Sequence, residues 1–187
     1  KLSGISLSPL SVMGGKSAKC TITLAATVPV GSQVVSLSTG SSILSCPATV
    51  TITAGNSSAS FTVKSIPVST STTAMVSATL NGAKVTGTLN VTIPPVSSVT
   101  LAPASVTGGG ASTMRVTLLG AAGPNGAVVQ LNSTSTFATF GGTVTVPAGA
   151  KTASLLVTTT AVDKKTLAKL TATYGGVSKS KTLTILP

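Results

Sequence analysis

The sequence predicts an all-β chain folded as two tandem Greek-key β-sandwiches of about seven strands each. Three observations predict it. Apolar residues alternate with Ser and Thr at a period of two, which gives each segment one core face and one solvent face. Turn-forming Gly, Asn and Pro recur at roughly the 8–12-residue spacing of short-strand sandwiches. The chain also superposes on itself at a shift of about 94 residues without a gap, and a period that long marks an array of whole domains.

The internal match runs from end to end. Ser11-Val12-x-Gly14-Gly15 meets Ser105-Val106-x-Gly108-Gly109, and Thr49-Val50-Thr51 with Ala54-Gly55 meets Thr143-Val144-Thr145 with Ala148-Gly149. Ala78-Thr79-x-x-Gly82 meets Ala172-Thr173-x-x-Gly176, and Thr88-Leu89 meets Thr182-Leu183. Roughly 30 of about 93 aligned positions are identical, well above chance for this composition. The repeats are therefore expected at 1–94 and 95–187. The junction Ile93-Pro94-Pro95-Val96 reads as an extended, stiff connector.

In the first repeat the alternation predicts strands near 4–8, 18–25, 33–38, 48–53, 58–64, 73–80 and 84–92. Cys20, Ile22, Leu24, Val35, Leu37, Val50, Ile52, Ala59, Phe61, Val63, Ala74, Val76, Ala78 and Leu80 face inward. The second repeat keeps the phase with Met114, Val116, Leu118, Val129, Leu131, Val144, Val146, Ala153, Leu155, Val157, Ala168, Leu170, Ala172 and Tyr174. Asn81-Gly82 and Gly175-Gly176 suit tight hairpins that need positive φ. One place resists the pattern. Lys179 and Lys181 share parity with Leu183 and Ile185, where the first repeat has Val85 and Gly87. Either a bulge resets the register, or both lysines lie near the open end and snorkel out.

Composition removes most chemistry. The 187 residues include no His, no Trp, one acid and 12 cations, for a formal charge of +11. General acid–base catalysis needs His or a carboxylate pair, and nucleophilic triads need a base, so no catalytic set can be assembled. Hard cations want several carboxylates and zinc wants Cys/His clusters, so no metal site and no cofactor are expected. The sole acid, Asp163, stands beside Lys164 and Lys165 and reads as a loop residue that neutralises its neighbours. Gly14-Gly15 and Gly108-Gly109-Gly110 lack the Gly-Lys-Ser/Thr of a phosphate loop. Aromatic residues make up 2% of the chain. Single-strand nucleic-acid binders need stacking platforms, so nucleic acid is not an expected partner.

The cationic excess leaves two readings: a Ser/Thr-rich surface kept soluble by scattered lysines, or attraction to an acidic polymer. The lysines available for the second are Lys16, Lys19, Lys84, Lys164, Lys165, Lys179 and Lys181. No stretch reaches the roughly 18 apolar residues of a membrane helix. Lys1 opens the chain without Met and no leader is visible, which points to a processed N-terminus or a fragment.

The repeats resemble the bacterial immunoglobulin-like domains strung in arrays on secreted and cell-surface proteins. The resemblance rests on the Leu-Ser-Pro-x-Ser-Val-x-Gly-Gly opening (Leu7 to Gly15, and Leu101 to Gly109 with Ala for the first Ser). It rests also on the Val-Pro-Ala-Gly-Ala turn (Val146 to Ala150) and the Ala-Thr-Tyr-Gly-Gly-Val hairpin (Ala172 to Val177). It covers the whole chain and implies a non-catalytic structural element outside the cell: spacer, stalk, adhesin shaft or fibre subunit. The partners it implies are other copies or neighbouring repeats, met end to end or along strand edges. The chain lacks the acidic residues that some relatives use for calcium, and the buried acid that a Lys–Asn isopeptide bond requires.

Cys20 and Cys46 occur only in the first repeat, opposite Met114 and Phe140 of the second. They are expected to face each other at one end of the sandwich, as a local disulfide or as two buried thiols. A bridge closing that loop would stabilise by about 3 kcal/mol. Phe61, Phe140 and Tyr174 are read as core, and Phe137 as the one exposed ring. Sequons at Asn56, Asn90 and Asn132 leave glycosylation open. The runner-up function is an adhesin-type module docking through the lysines above to an acidic cell-wall polymer.

Overall fold

A computed structural model describes residues 1–187, the whole chain. It contains strands and turns and no helix, and it divides into Lys1–Ile93 and Pro94–Pro187, one residue before the expected boundary.

The first unit holds β1 (Leu2–Ser8), β2 (Ser11–Met13), β3 (Ser17–Leu24), β4 (Ser32–Thr39) and β5 (Leu44–Ser45). It continues with β6 (Thr49–Thr53), β7 (Ser58–Ser65), β8 (Thr72–Leu80) and β9 (Ala83–Thr92). The second repeats the series as β10 (Val96–Ala102), β11 (Ser105–Thr107), β12 (Ala111–Leu118), β13 (Ala127–Ser133) and β14 (Ala138–Thr139). It ends with β15 (Thr143–Val146), β16 (Thr152–Thr159), β17 (Thr166–Tyr174) and β18 (Val177–Leu186). Each unit thus has two short strands beyond the seven expected, β2 and β5 in the first and β11 and β14 in the second. At two or three residues they are too short to carry a period.

Each unit is two sheets, ordered β1-β3-β7-β5 and β2-β9-β8-β4-β6 in the first and identically in the second. This is an immunoglobulin-like sandwich with its first strand split between the sheets. The split occurs at the cis bonds Ser8–Pro9 and Ala102–Pro103. All pairs are antiparallel except β2 with β9 and β11 with β18.

Every residue read as inward lies in a core cluster or packs against one, and the two units have separate cores. Ile22, Val35, Ile52, Val63, Val76 and Leu89 are fully enclosed in the first, and Met114, Val116, Leu170, Leu183 and Ile185 in the second. A one-residue slip would turn each such row to water, so burial holds the register. Asn81 and Gly82 have φ of 49° and 79°, and Gly175 and Gly176 of 62° and 74°. These left-handed pairs make the two-residue hairpins β8–β9 and β17–β18.

The lysine conflict resolves without a bulge. Pairing of β17 with β18 is unbroken from Thr166↔Ile185 to Tyr174↔Val177, and it sets Lys181 opposite Leu170 and Lys179 opposite Ala172. Both lysines are nonetheless exposed. Strand β11 pairs only with the Thr184–Leu186 stretch of β18, so the lysines lie beyond it, and their long stems reach water. In the first unit the same place is closed. A Cβ on Gly87 would lie 3.1 Å from Leu7 Cδ1 and 3.3 Å from Ile5 Cγ2.

The Gly-Gly pair of each repeat has two separate causes. A Cβ on Gly14 would sit 2.9 Å from the Ile66 carbonyl oxygen and 2.9 Å from Pro67 Cα. On Gly108 it would sit 2.7 Å from Ala161 Cα and 2.9 Å from the Thr160 oxygen. The second glycine of each pair, Gly15 or Gly109, has φ of 84° or 89°, open to glycine without penalty. The same corner is tied by a buried hydroxyl. Ser65 Oγ donates to the Lys16 carbonyl at 2.6 Å, and Thr159 Oγ1 to the Gly110 carbonyl at 2.7 Å. Since the clash is with backbone, Gly14→Ala and Gly108→Ala should each destabilise their unit by about 1–3 kcal/mol. Gly142→Ala, where a Cβ meets open space, should leave stability within about 0.5 kcal/mol; urea unfolding of the three variants reads the difference.

Candidate functional site

The structure scatters the seven lysines singled out from the sequence. Lys16 lies in the β2–β3 turn, beside the end of β9 through Gly14 N–H donating to the Thr92 carbonyl at 2.9 Å. Lys84 pairs with Thr79 next to the β8–β9 hairpin, at the other end of that unit. In the second unit Lys164 and Lys165 occupy the β16–β17 loop with Asp163, all exposed. That loop precedes the Thr166↔Ile185 pair, whereas Lys179 and Lys181 lie toward the opposite, hairpin end.

Lys16 and Lys19 of the first unit are joined by a residue passed over in the sequence. Ser17 faces Lys64 across β3–β7, and Lys19 faces Thr62. Lys19 and Lys64 are therefore diagonal neighbours on one outward face, about 7–8 Å apart at the backbone. Both are exposed, as is Lys16. Parity puts Lys64 outward with Ser60 and Thr62, but only the β3–β7 pairing brings it to Lys19. Beside this trio runs a groove of about 430 Å³ lined by Ser45, Cys46, Pro47, Phe61, Thr62 and Lys64. A second, of about 300 Å³, is lined by Gly15, Lys16, Ser17, Lys64 and Ser65. The arrangement offers ammonium and hydroxyl donors to an anion. It holds no base, and the chain has no cluster of three or more His, Cys, Asp or Glu that could hold a metal ion.

Of the two states expected for the cysteine pair, the structure holds free thiols, with Cys20 buried and Cys46 half-buried. Cys20 sits on β3, whereas Cys46 follows β5, and β7 runs between those two strands. Burial, with a smaller contribution from the Cys46 thiol, pushes Cys20 up to about 11. Burial also raises Cys46 and Tyr174. In the second unit Met114 is fully buried and Phe140 packs against the same core. Phe137 is 41% exposed.

The sequence matches no protein-family model and no curated protein. In fold, the chain is similar to the Yersinia pseudotuberculosis adhesin InvE, with 17% identity over 98% of this chain and 60% of that one, at a TM-score of 0.50. The D0–D1 domain of intimin aligns with 100% of this chain and 99% of that chain at 13% identity and a TM-score of 0.40. The likeness is one of fold: tandem immunoglobulin-like sandwiches.

A thiol reagent should consume one thiol, Cys46, in the native, unreduced protein and a second, Cys20, only on unfolding. Two oxidised cysteines in that protein would restore the bridge. Cys20 also links stability to pH. Below its ordinary 9.0 both states keep the proton; from there to about 11 only the unfolded chain ionises, so stability falls as pH rises. The melting temperature should drop across that window, and less steeply for Cys20→Val.

Proposed function

We propose that the chain is a non-catalytic structural element of an extracellular or cell-surface protein, serving as spacer or stalk modules or as a fibre subunit. The observation that carries this reading is how each unit takes tension along its chain. Near its start, β2 runs parallel to β9, its last strand, through Ser11↔Asn90, Val12↔Val91 and Met13↔Thr92. Asn90 N–H donates to the Leu10 carbonyl and Gly14 N–H to the Thr92 carbonyl, both at 2.9 Å. Force on the two ends draws these parallel strands in opposite directions, so their hydrogen bonds resist together in shear instead of opening one at a time. The second unit repeats the device with β11 and β18, where Gly108 N–H donates to the Leu186 carbonyl at 2.8 Å and Thr184 N–H to the Ala104 carbonyl at 3.0 Å. The fold likeness to an adhesin supports a place at the cell surface. No helix is long and apolar enough to cross a membrane.

Pulled from its ends, a single molecule should give two unfolding events. Val12→Pro removes an N–H from the β2–β9 pairing and should lower the force of one event while sparing the other. Antibody labelling of intact source cells tests the location; labelling only after lysis would sink the reading.

The Lys16–Lys19–Lys64 face favours a second reading, docking to an acidic polymer. Retention on an anionic polysaccharide should then fall with salt. Converting the three lysines to Gln should reduce the logarithmic salt slope by about 2–3. Equal retention of the variant would end it.

A further inference from the structure

An open sheet edge invites another strand, and natural sheets guard such edges with bulges, prolines, charges or brevity. Seven of the eight edge strands here carry such a guard. Strands β1 and β10 have register shifts, between Leu2 and Gly4 and between Val96 and Ser98. Strands β5 and β14 are two residues long, and β2 and β11 three. Strand β15 is Thr-Val-Thr-Val and runs straight into Pro147.

Strand β6, Thr49-Val50-Thr51-Ile52-Thr53, has none of these. It is the outermost strand of its sheet, β-branched at every position, and Thr53 stands where the second repeat has Pro147. Its backbone orientation follows from two bonds that flank its pairing with β4. Leu37 N–H donates to the Ala48 carbonyl at 2.8 Å, and Ala54 N–H to the Gly31 carbonyl at 2.9 Å. Bonded and non-bonded pairs alternate along an antiparallel ladder, so Val50 and Ile52 turn their backbone groups to β4. Thr49, Thr51 and Thr53 turn theirs to the open edge. In β15 the same register leaves Thr143 and Thr145 outward, and the third outward position is Pro147, which has no N–H to offer.

Charge is also absent from β6 and from β4, the strand it pairs with. No Lys, Arg, Asp or Glu lies between Lys19 and Lys64 in a chain of net charge +11. Val34, opposite Thr51 on β4, is 54% exposed. An acidic partner would be drawn to the lysine faces and not to this edge. A second copy of a cationic chain meets least repulsion here.

We propose that β6 is a self-association edge, pairing antiparallel with β6 of a second copy about a twofold axis at Thr51. Thr51 then faces its own copy and Thr49 faces Thr53, which closes about six backbone hydrogen bonds. Val50 pairs with Ile52 on the inner face, and threonines pair with threonines on the outer. The contact is isologous and stops at two chains. It deepens the structural reading and rests on it.

Sedimentation of the full chain over a concentration series should show mass rising from 18.0 kDa to twice that value. The Thr49, Thr51 and Thr53 amides, open to solvent in the monomer, should exchange about tenfold or more slowly in the dimer. Thr51→Lys sets two ammonium groups face to face and should give a folded monomer, as checked by circular dichroism. Mixing it with Thr51→Glu should restore the dimer, and Thr145→Lys in the second unit should not disturb it. A wild-type chain that stays at 18.0 kDa at about 1 mM overturns the pairing, as does a Thr51→Lys chain that still dimerises. Either result leaves a spacer role standing, since a spacer works without self-association. Labelling confined to lysed cells would remove that role and leave the dimer.

Discussion

Burying two facing rows of aliphatic side chains is the constraint from which the rest of each sandwich follows. Each buried methylene contributes about 0.8 kcal/mol, and rows such as Cys20-Ile22-Leu24 against Ala74-Val76-Ala78 collect many of them. A strand displaced by one residue forfeits its whole row at once. Register, hairpin geometry and the facing of every outward side chain are thereby set together. The glycine corner belongs to the same constraint. The β2–β3 turn can close over the segment after β7 only because Gly14 and Gly108 have no Cβ.

With the inward positions committed to packing, the outward ones are free for solubility and recognition. Ser and Thr fill most of them, and the cations are unevenly placed. None lies between Lys19 and Lys64 or between Arg115 and Lys151. Strands β4 to β6 and their second-unit counterparts are left neutral while Lys19 and Lys64 share a face. Recognition of an acidic polymer and pairing between copies would thus use different strands of the first unit, and neither use would compete with the core.

The two repeats differ where packing tolerates difference. Met114 and Phe140 place larger side chains where the first repeat has the free thiols Cys20 and Cys46. Gly87 brings β1 flush against β9, whereas an exposed Lys181 holds the same position on β18. Thr53 continues an edge that Pro147 ends. One scaffold thus carries three local variations, each at the periphery of a shared core.

The inward rows, the duplication and both left-handed hairpins were legible in the sequence, because each is written in residues adjacent or two apart. The absence of His and of paired acids was equally plain, as composition does not depend on folding. Three features were not legible: strands β2 and β5, the joining of Lys64 to Lys19, and the open edge at β6. Each depends on which strand lies beside which. That neighbour relation is made by chain crossing between sheets, over separations of 39 residues for Thr21 with Ser60 and 80 for Thr92 with Val12. A period-two pattern says which face a side chain takes; only the assembled sheets decide what it meets there.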